Sequence, residues 1–403
     1  MAVDIRAGAS AEDVRTAIAP IWRYFGLAPT EQAVENFTEL ITPARCLIVC
    51  EEGAPVAGCG AFPLELTTPG GRVACAGLTM VGVHPAHRRR GLLTRMMRRF
   101  IDDTHARGEP VAYLWASEEK IYGRFGFGLT SLSGDVEISR DHGAFLAADG
   151  ARGRVRLVSL AEALGPARAI YDAVAAVRPG MFARSGEWQR RRVLADLSWQ
   201  RAGGGELTFA LLELDGAPAA YALYRFNQKM TRGVSTGSVV VVEAMAVSPA
   251  ATRAIWRYLI DLDWYATLKA SFLPQDHPLI LMAQEPRRLN LTFRDGCWLR
   301  LVDVGAALAG RAYGPDETVL ELADDFCPWN AGRWRVAAGG VAHTQAQPDI
   351  RCDVAALACV YLGGFSWRDL VAAGRAVARD EAALARADRT FERRGAPWVP
   401  EIF

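Results

Sequence analysis

Apolar positions along the first third of the chain switch between two periods. Over Ala11 to Tyr24 they recur at helical spacing, and a second helical pattern runs from Thr30 to about Ile41. The apolar run that opens Cys46 to Glu51 then reads as a strand. Strands follow at Pro55 to Leu66, after a turn at Gly53, and at Arg72 to Val83. Next, Leu92, Leu93, Met96, Met97, Phe100 and Ile101 form an apolar stripe with Arg95, Arg98 and Arg99 opposite, which predicts a helix from about Arg89 to Arg107. The strand Val111 to Ala116 closes this block.

A second mixed block predicts helices at Ser159 to Val177 and Trp188 to Trp199, with strands at Leu207 to Asp215, Ala219 to Phe226 and Gly237 to Ser248. A third begins with a strand Trp298 to Val302, continues with strands Thr318 to Asp324 and Gly332 to Val336, and ends in helices at Val354 to Tyr361 and Trp367 to Val377. Strands mixed with helices in this order predict an α/β (α+β) protein, and a length of 403 residues fits several domains better than one core. The expected divisions are 1–150, 151–292 and 293–403.

The first two blocks share an echo. TMVGVHPAHRRRGLLTRMM is matched later by EAMAVSPAATRAIWRYLI, aligning Val83-His84-Pro85 with Val247-Ser248-Pro249. The same strand, proline turn and helix recur, which predicts a duplicated fold. In the second copy Arg88, Arg90 and Gly91 are replaced by Thr252, Ala254 and Ile255, and Arg253 alone keeps a basic side chain. Whatever the first corner binds, the second is not expected to bind. A helix N-terminus presents unpaired N–H groups and the positive end of the helix dipole, and Gly91 removes the side chain that would block a phosphate. The first corner therefore reads as a pyrophosphate cradle, against the plainer reading of a basic helix end on a solvated surface. Gly82, inside a strand, suggests a bulge or a backbone exposed to an extended ligand.

Composition narrows the partners. Lys+Arg is 46 against Asp+Glu 45, a net charge of +1, so nothing global favours nucleic acid or an anionic membrane. Apolar runs are broken before the ~20 residues a membrane span needs, and the N-terminal stretch has acidic residues and no apolar signal core. The eight cysteines contain no CxxC, so reduced, mostly buried thiols in a cytoplasmic protein and no metal site are expected.

After the strand Val111 to Ala116 comes Ser117-Glu118-Glu119-Lys120-Ile121-Tyr122-Gly123-Arg124-Phe125-Gly126-Phe127. Together with the Arg-x-x-Gly corner this resembles the GNAT superfamily of N-acetyltransferases. The run HRRRGLL, with Leu93 where most of the superfamily has Gly or Ala, the segment IYGRFGFG, the degenerate second copy, a third block containing ADDFCPWNAGRWRV and an end at Phe403 resemble the Eis (enhanced intracellular survival) family over essentially the whole chain. The resemblance implies tandem GNAT-like domains, the second degenerate, followed by a sterol-carrier-like α+β domain, assembled as a homohexamer. It implies acetyl transfer from acetyl-CoA to amines, notably several amines of one aminoglycoside. Carried over, it places acetyl-CoA contacts at Val81, Gly82 and Val83, at Arg89, Arg90, Gly91, Leu92, Leu93 and Thr94, and at Ser117 and Glu118. It makes Tyr122 the general acid and the terminal carboxylate of Phe403 the general base. A phenol of pKa about 10 can hold a proton for a thiolate of pKa about 8.5, so the chemistry suits Tyr122; packing on its own short helix is the competing role of that ring.

A polycationic amine would want carboxylates, for which Glu35, Asp295 and Glu401 are the candidates. Gly233-Val-Ser235-Thr-Gly237 matches a nucleophile elbow in letters, but the polar segment before it and the strand after it predict a hairpin loop. His84 and His87 lack an acidic or cysteine partner nearby in sequence for zinc. Trp329, Trp334 and Trp367 could line a lipid cavity or pack a core. Protein-lysine or peptide N-acetylation, and a non-enzymatic lipid-binding or scaffold role, are the competing functions.

Overall fold

The computed structural model describes residues 3–28, 30–146, 153–201, 203–392 and 395–403, the side chains of residues 198 and 199 excepted. The chain divides into two compact units. One comprises Met1–Ser131, Gly296–Arg394 and Ile402–Phe403; the other comprises Leu132–Asp295 and Gly395–Glu401.

The first unit is built on a seven-stranded sheet in the order Val3–Ala7, Cys46–Glu51, Ala54–Thr68, Gly71–Val83, Val111–Trp115, Cys297–Leu301 and Gly128–Leu129. The helix Ala11–Tyr24 starts at Ser10, whose Oγ accepts from the Asp13 N–H, with Glu12 and Asp13 favourably placed in its first turn. It lies so close to the sheet that a Cβ at Gly58 would sit 2.2 Å from the Ala17 carbonyl oxygen, and one at Gly82 would sit 2.5 Å from the Ile21 nitrogen. On the other face the helix Leu92–Ala106 buries Leu92, Met96, Met97, Phe100 and Ile101 against Val49, Val56, Leu78, Ala112 and Leu114. The central strands Gly71–Val83 and Val111–Trp115 are parallel and pair only over Cys75–Gly77 with Val111–Tyr113. Beyond Gly77 both strands run on without a shared ladder, and a bulge with Met80 at φ 55° leaves Met80 and Val81 without a Cα partner on the neighbouring strand.

The same unit holds a five-stranded sheet, Gly340–His343, Gly332–Ala337, Glu317–Ala323, Ile350–Asp353 and Ala376–Ala378, with the helices Val354–Tyr361, Trp367–Ala372 and Glu381–Thr390. The helix expected to reach Val377 stops at Ala372, because Gly374 takes the left-handed conformation and Ala376–Ala378 joins the sheet. Trp367 and Trp334 are core side chains, while Trp329 stacks on His105 and donates to the Val302 carbonyl.

The second unit repeats the plan with a sheet ordered Thr292–Asp295, Leu132–Ser139, Thr267–Pro274, Ser238–Ala246, Ala217–Asn227, Thr208–Leu214 and Arg154–Val158. Its core gathers Trp256, Leu259 and Tyr224 around the helix Pro249–Ile260. The helix Leu160–Ala175 starts in a capping box of Ser159 and Glu162. The helix expected at Trp188 to Trp199 is instead a single turn running into a π-helix, Gln189–Val193.

The two compact units do not coincide with the three blocks of elements read along the chain. The strand Leu132–Ser139 belongs to the second sheet, not to a 1–150 block, and Cys297–Leu301, expected to open the third block, pairs with Val111–Trp115 in the first sheet. Apolar alternation shows that a segment is a strand but carries no information on which sheet takes it up.

Candidate active site

At the open end of the splayed central strands lies a cleft of about 330 Å³. Val81, Gly82 and Val83 line it from one strand; Arg89, Gly91, Leu92, Leu93 and Thr94 from the corner; Ser117, Glu118 and Tyr122 from the segment after Val111–Trp115. Gly91 is the N-cap of Leu92–Ala106, left-handed at φ 77° and with no side-chain cap, so the first-turn N–H groups of Leu92, Leu93 and Thr94 have no main-chain acceptor. A Cβ at Gly91 would meet nothing within 4 Å, which leaves its approach open. Arg89 is also left-handed, at φ 60°, a conformation uncommon outside glycine.

Arg90 differs from the expectation. Its guanidinium grips Glu51, which is buried at 6% exposure, with one nitrogen 2.7 Å from Oε2, and its side chain does not line the cleft. The buried carboxylate needs a cation, so the third arginine of the run fastens the corner to the sheet. Gly82 is required by the helix backbone packed on it, and the bulge lies beside it at Met80 and Val81.

The cleft also takes in Ile21, Tyr24, His87, Arg88, Ile121 and Arg124, which sequence reasoning left out of the site. Arg88 and His87 lie within the run HRRRGLL, but the contacts carry over only from Arg89 onward. Tyr24 had no local signal, since it is brought there by the packing of Ala11–Tyr24. Its hydroxyl donates to Glu118 at 3.1 Å, and the Arg88 guanidinium lies 4.3 Å from its ring centroid.

Tyr122 is buried, its ring edge-on to Phe127 at 5.8 Å, and its hydroxyl makes no hydrogen bond to a described residue. Burial pushes its pKa well above the usual phenol value, with the Glu118 carboxylate acting in the same direction, so it is a protonated donor across the neutral range. The turn that carries it is braced on one side by Phe125 against Phe326. It closes at Gly126, φ 80°, where a Cβ would lie 2.1 Å from Arg300 Nη1. Arg300 is itself buried and held by both oxygens of Asp324 at 2.8 and 2.6 Å.

Phe403 is buried. Its ring packs on Tyr113 at 5.9 Å and within 3.4 Å of where a Gly77 Cβ would be. Gly77 and Tyr113 are the last pair of the central ladder, so the chain end sits where the two strands separate. The candidate carboxylates do not line the cleft. Glu35 is exposed on the helix Glu31–Thr38, near Gln32, and Asp295 ends an edge strand of the second unit. Glu401 is already engaged, by Arg184 Nε at 2.7 Å and Trp188 Nε1 at 3.0 Å.

The second corner is altered as the substitutions imply. There the helix begins at Pro249, with Ser248 Oγ capping the Ala251 N–H, so Thr252 to Ile255 lie inside the helix and no open turn remains. The Ser235 segment forms the expected hairpin, Met230–Thr231 with Val234–Ser235. Burial raises the thiol pKa values of Cys46, Cys59 and Cys75, which keeps them in the unreactive protonated form.

An open helix N-terminus at a strand splay, with a phenol in the cleft, suits acyl transfer from a phosphate-bearing thioester, the chemistry that the resemblance to the GNAT superfamily implies. Comparison with known proteins agrees: residues 5–130 and 180–301 match acetyltransferase (GNAT) domain models, and residues 304–400 match a sterol carrier protein domain. An uncharacterized N-acetyltransferase of Streptomyces avermitilis is 39% identical over 94% of each chain. N-acetyltransferase Eis of Mycobacterium tuberculosis is 36% identical, covering 89% of this chain and 92% of its own. The crystal structure of Eis1 from Mycobacterium abscessus superposes over all of both chains with a TM-score of 0.85 at 33% identity. The chain belongs to the Eis family of GNAT N-acetyltransferases.

Proposed function

We propose that this N-acetyltransferase acetylates amines of polycationic small molecules, aminoglycosides first, at more than one position of one acceptor. The observation that carries the catalytic part is Tyr122, a buried phenol whose hydroxyl makes no hydrogen bond to a described residue, beside an uncapped helix N-terminus. The acceptor class rests on the family. Acetyl-CoA, when bound, supplies the acetyl thioester. The residues fit it: the N–H groups of Leu92, Leu93 and Thr94, with Arg88 and Arg89 at the rim, form a cationic cradle for a pyrophosphate. The main chain at Met80 and Val81, which lies in the bulge without a register partner, can donate to an acyl oxygen. Tyr122 gives its proton to the departing sulfur, and the Phe403 carboxylate takes the proton that the attacking amine releases. A homohexamer and a cytoplasmic location belong to the same reading; light scattering on the eluted protein tests the first.

The test mixes acetyl-CoA with a panel of aminoglycosides, polyamines and lysine peptides, follows free CoA thiol, and counts acetyl groups by mass. More than one acetyl group on a single aminoglycoside is expected. Turnover confined to peptides would replace the acceptor class, and release with no amine would overturn the reading.

A further inference from the structure

The second unit keeps the strand splay of a GNAT fold after losing its anion-binding turn. Ser238–Ala246 and Thr267–Pro274 are parallel and pair only over Ser238–Val241 with Thr267–Ala270, and both continue past the end of that ladder. At the open end lies a cavity of about 160 Å³, lined by Ala244, Met245, Ala246, Ile255, Trp256 and His277 among others. By the alignment of the two corners, Met245 and Ala246 stand where Val81 and Gly82 line the cleft of the first unit.

This cavity has an occupant on its wall. Trp398, from the segment Gly395–Glu401, lines it, and its indole N–H donates to the Phe272 carbonyl at 2.5 Å. Phe272 is left-handed at φ 60°, beside an irregularity in the ladder between Ala270 and Leu273, so its carbonyl is available to a partner outside the sheet. The backbone of the segment is fixed as well: Trp398 N–H donates to the Pro179 carbonyl and Ala396 N–H to Asp276, each at 2.9 Å. Three residues on, Glu401 accepts from Trp188 and from Arg184. Arg184 is fully buried, lies 3.8 Å over the Tyr171 ring, and also binds Glu243, which in turn accepts from the Tyr221 hydroxyl. One arginine between two carboxylates is a specific receptor for the second of them, because removing Glu401 changes the charge balance of a buried cluster. Two residues after Glu401 the chain ends.

We propose that the second GNAT copy is a receptor for the chain's own C-terminal segment, with Trp398, Glu401 and Arg184 as positioning residues that fix the terminal carboxylate of Phe403. The tail is thus held at two points three residues apart, its indole at the wall of the cavity and its carboxylate on Arg184 outside the cavity lining. This rests on the reading of that terminal carboxylate as the proton acceptor.

The test uses the full chain with Trp398→Ala, Trp398→Phe and Glu401→Ala. Carboxypeptidase digestion is followed by intact mass, with hydrogen exchange at 395–403 compared against the strand Ser238–Ala246 to separate local release from unfolding. In the wild type Phe403 is retained. In Trp398→Ala and Glu401→Ala it is removed at least tenfold faster, kcat falls at least tenfold, the acetyl-CoA dissociation constant is unchanged, and the exchange of Ser238–Ala246 is unaltered. Trp398→Phe, which keeps a ring and loses the N–H, falls between. Unchanged protection of Phe403 in both alanine variants overturns the receptor. Release of the tail with unchanged kcat overturns the positioning role, and a protein extended by Gly-Ser after Phe403 says why: if it too is fully active, the terminal carboxylate is not the acceptor.

Discussion

Tyr122→Phe removes one oxygen and little else. The ring stays against Phe127, and the lost hydroxyl has no hydrogen-bond partner among the described residues, so folding stability should change by less than about 1 kcal/mol. A positioned acid contributes roughly 10²–10⁴ in rate. At about 1.4 kcal/mol per tenfold, this is about 3 to 5 kcal/mol of barrier lost. The cradle is untouched, so acetyl-CoA affinity should be retained. The pH profile gives a second check. Burial raises the Tyr122 pKa above its unfolded value, so the neutral phenol, and the stability it allows, persists below about pH 10 and is lost only as pH rises through the folded value. The wild type should therefore show no alkaline fall in kcat from this group below about pH 10. Steady-state turnover by thiol release and calorimetric acetyl-CoA binding measure both quantities. A Phe variant with kcat within threefold of wild type would refute the assignment.

Gly91→Glu places a carboxylate at the open helix end and should weaken acetyl-CoA binding at least tenfold by calorimetry, whereas Thr252→Glu, at the capped second corner, should leave it unchanged. Gly82→Ala drives a methyl into the backbone of Ile21 and should cost about 1–3 kcal/mol in denaturant unfolding. Burial lowers the His277 pKa to about 4, below its unfolded value, so the stability of its neutral form is complete above about pH 6.5 and is lost as pH falls toward 4; His277→Gln should flatten the fall in melting temperature over that interval. Appending Gly-Ser after Phe403 keeps every side chain but moves the carboxylate, and should abolish acetyl transfer while acetyl-CoA binding persists.

Much of this was legible in the sequence for local reasons. The helix Ala11–Tyr24 and the strand Cys46–Glu51 fall where the apolar periods put them, and the corner could be read because a glycine, its flanking arginines and the following apolar stripe are consecutive. What escaped depends on distant partners. Arg90 looks like its neighbours in the run, and Glu51, 39 residues earlier, decides that it faces the sheet. Tyr24 enters the cleft through the packing of a whole helix. Glu401, selected as a surface acid, is spoken for by Arg184, 217 residues away. Leu132–Ser139 and Cys297–Leu301 show the same limit for strands, since alternation fixes the buried face and not the neighbour.

The two corners show what a splayed sheet demands. Parting two parallel strands leaves main-chain donors and acceptors without ladder partners inside a fold, and such groups must be met by a ligand, by water or by another segment. In the first unit the helix that follows starts late, at Leu92, behind an uncapped glycine, so its N–H groups stay available and the opening remains a binding cleft. In the second, a serine in place of His84 caps the helix at once, and the turn that would have gripped an anion is wound into its first two turns. That change alone would leave a purposeless gap between Ser238–Ala246 and Thr267–Pro274. There the Phe272 carbonyl meets the indole of Trp398, so an acceptor freed where the two strands part is satisfied by another segment of the same chain.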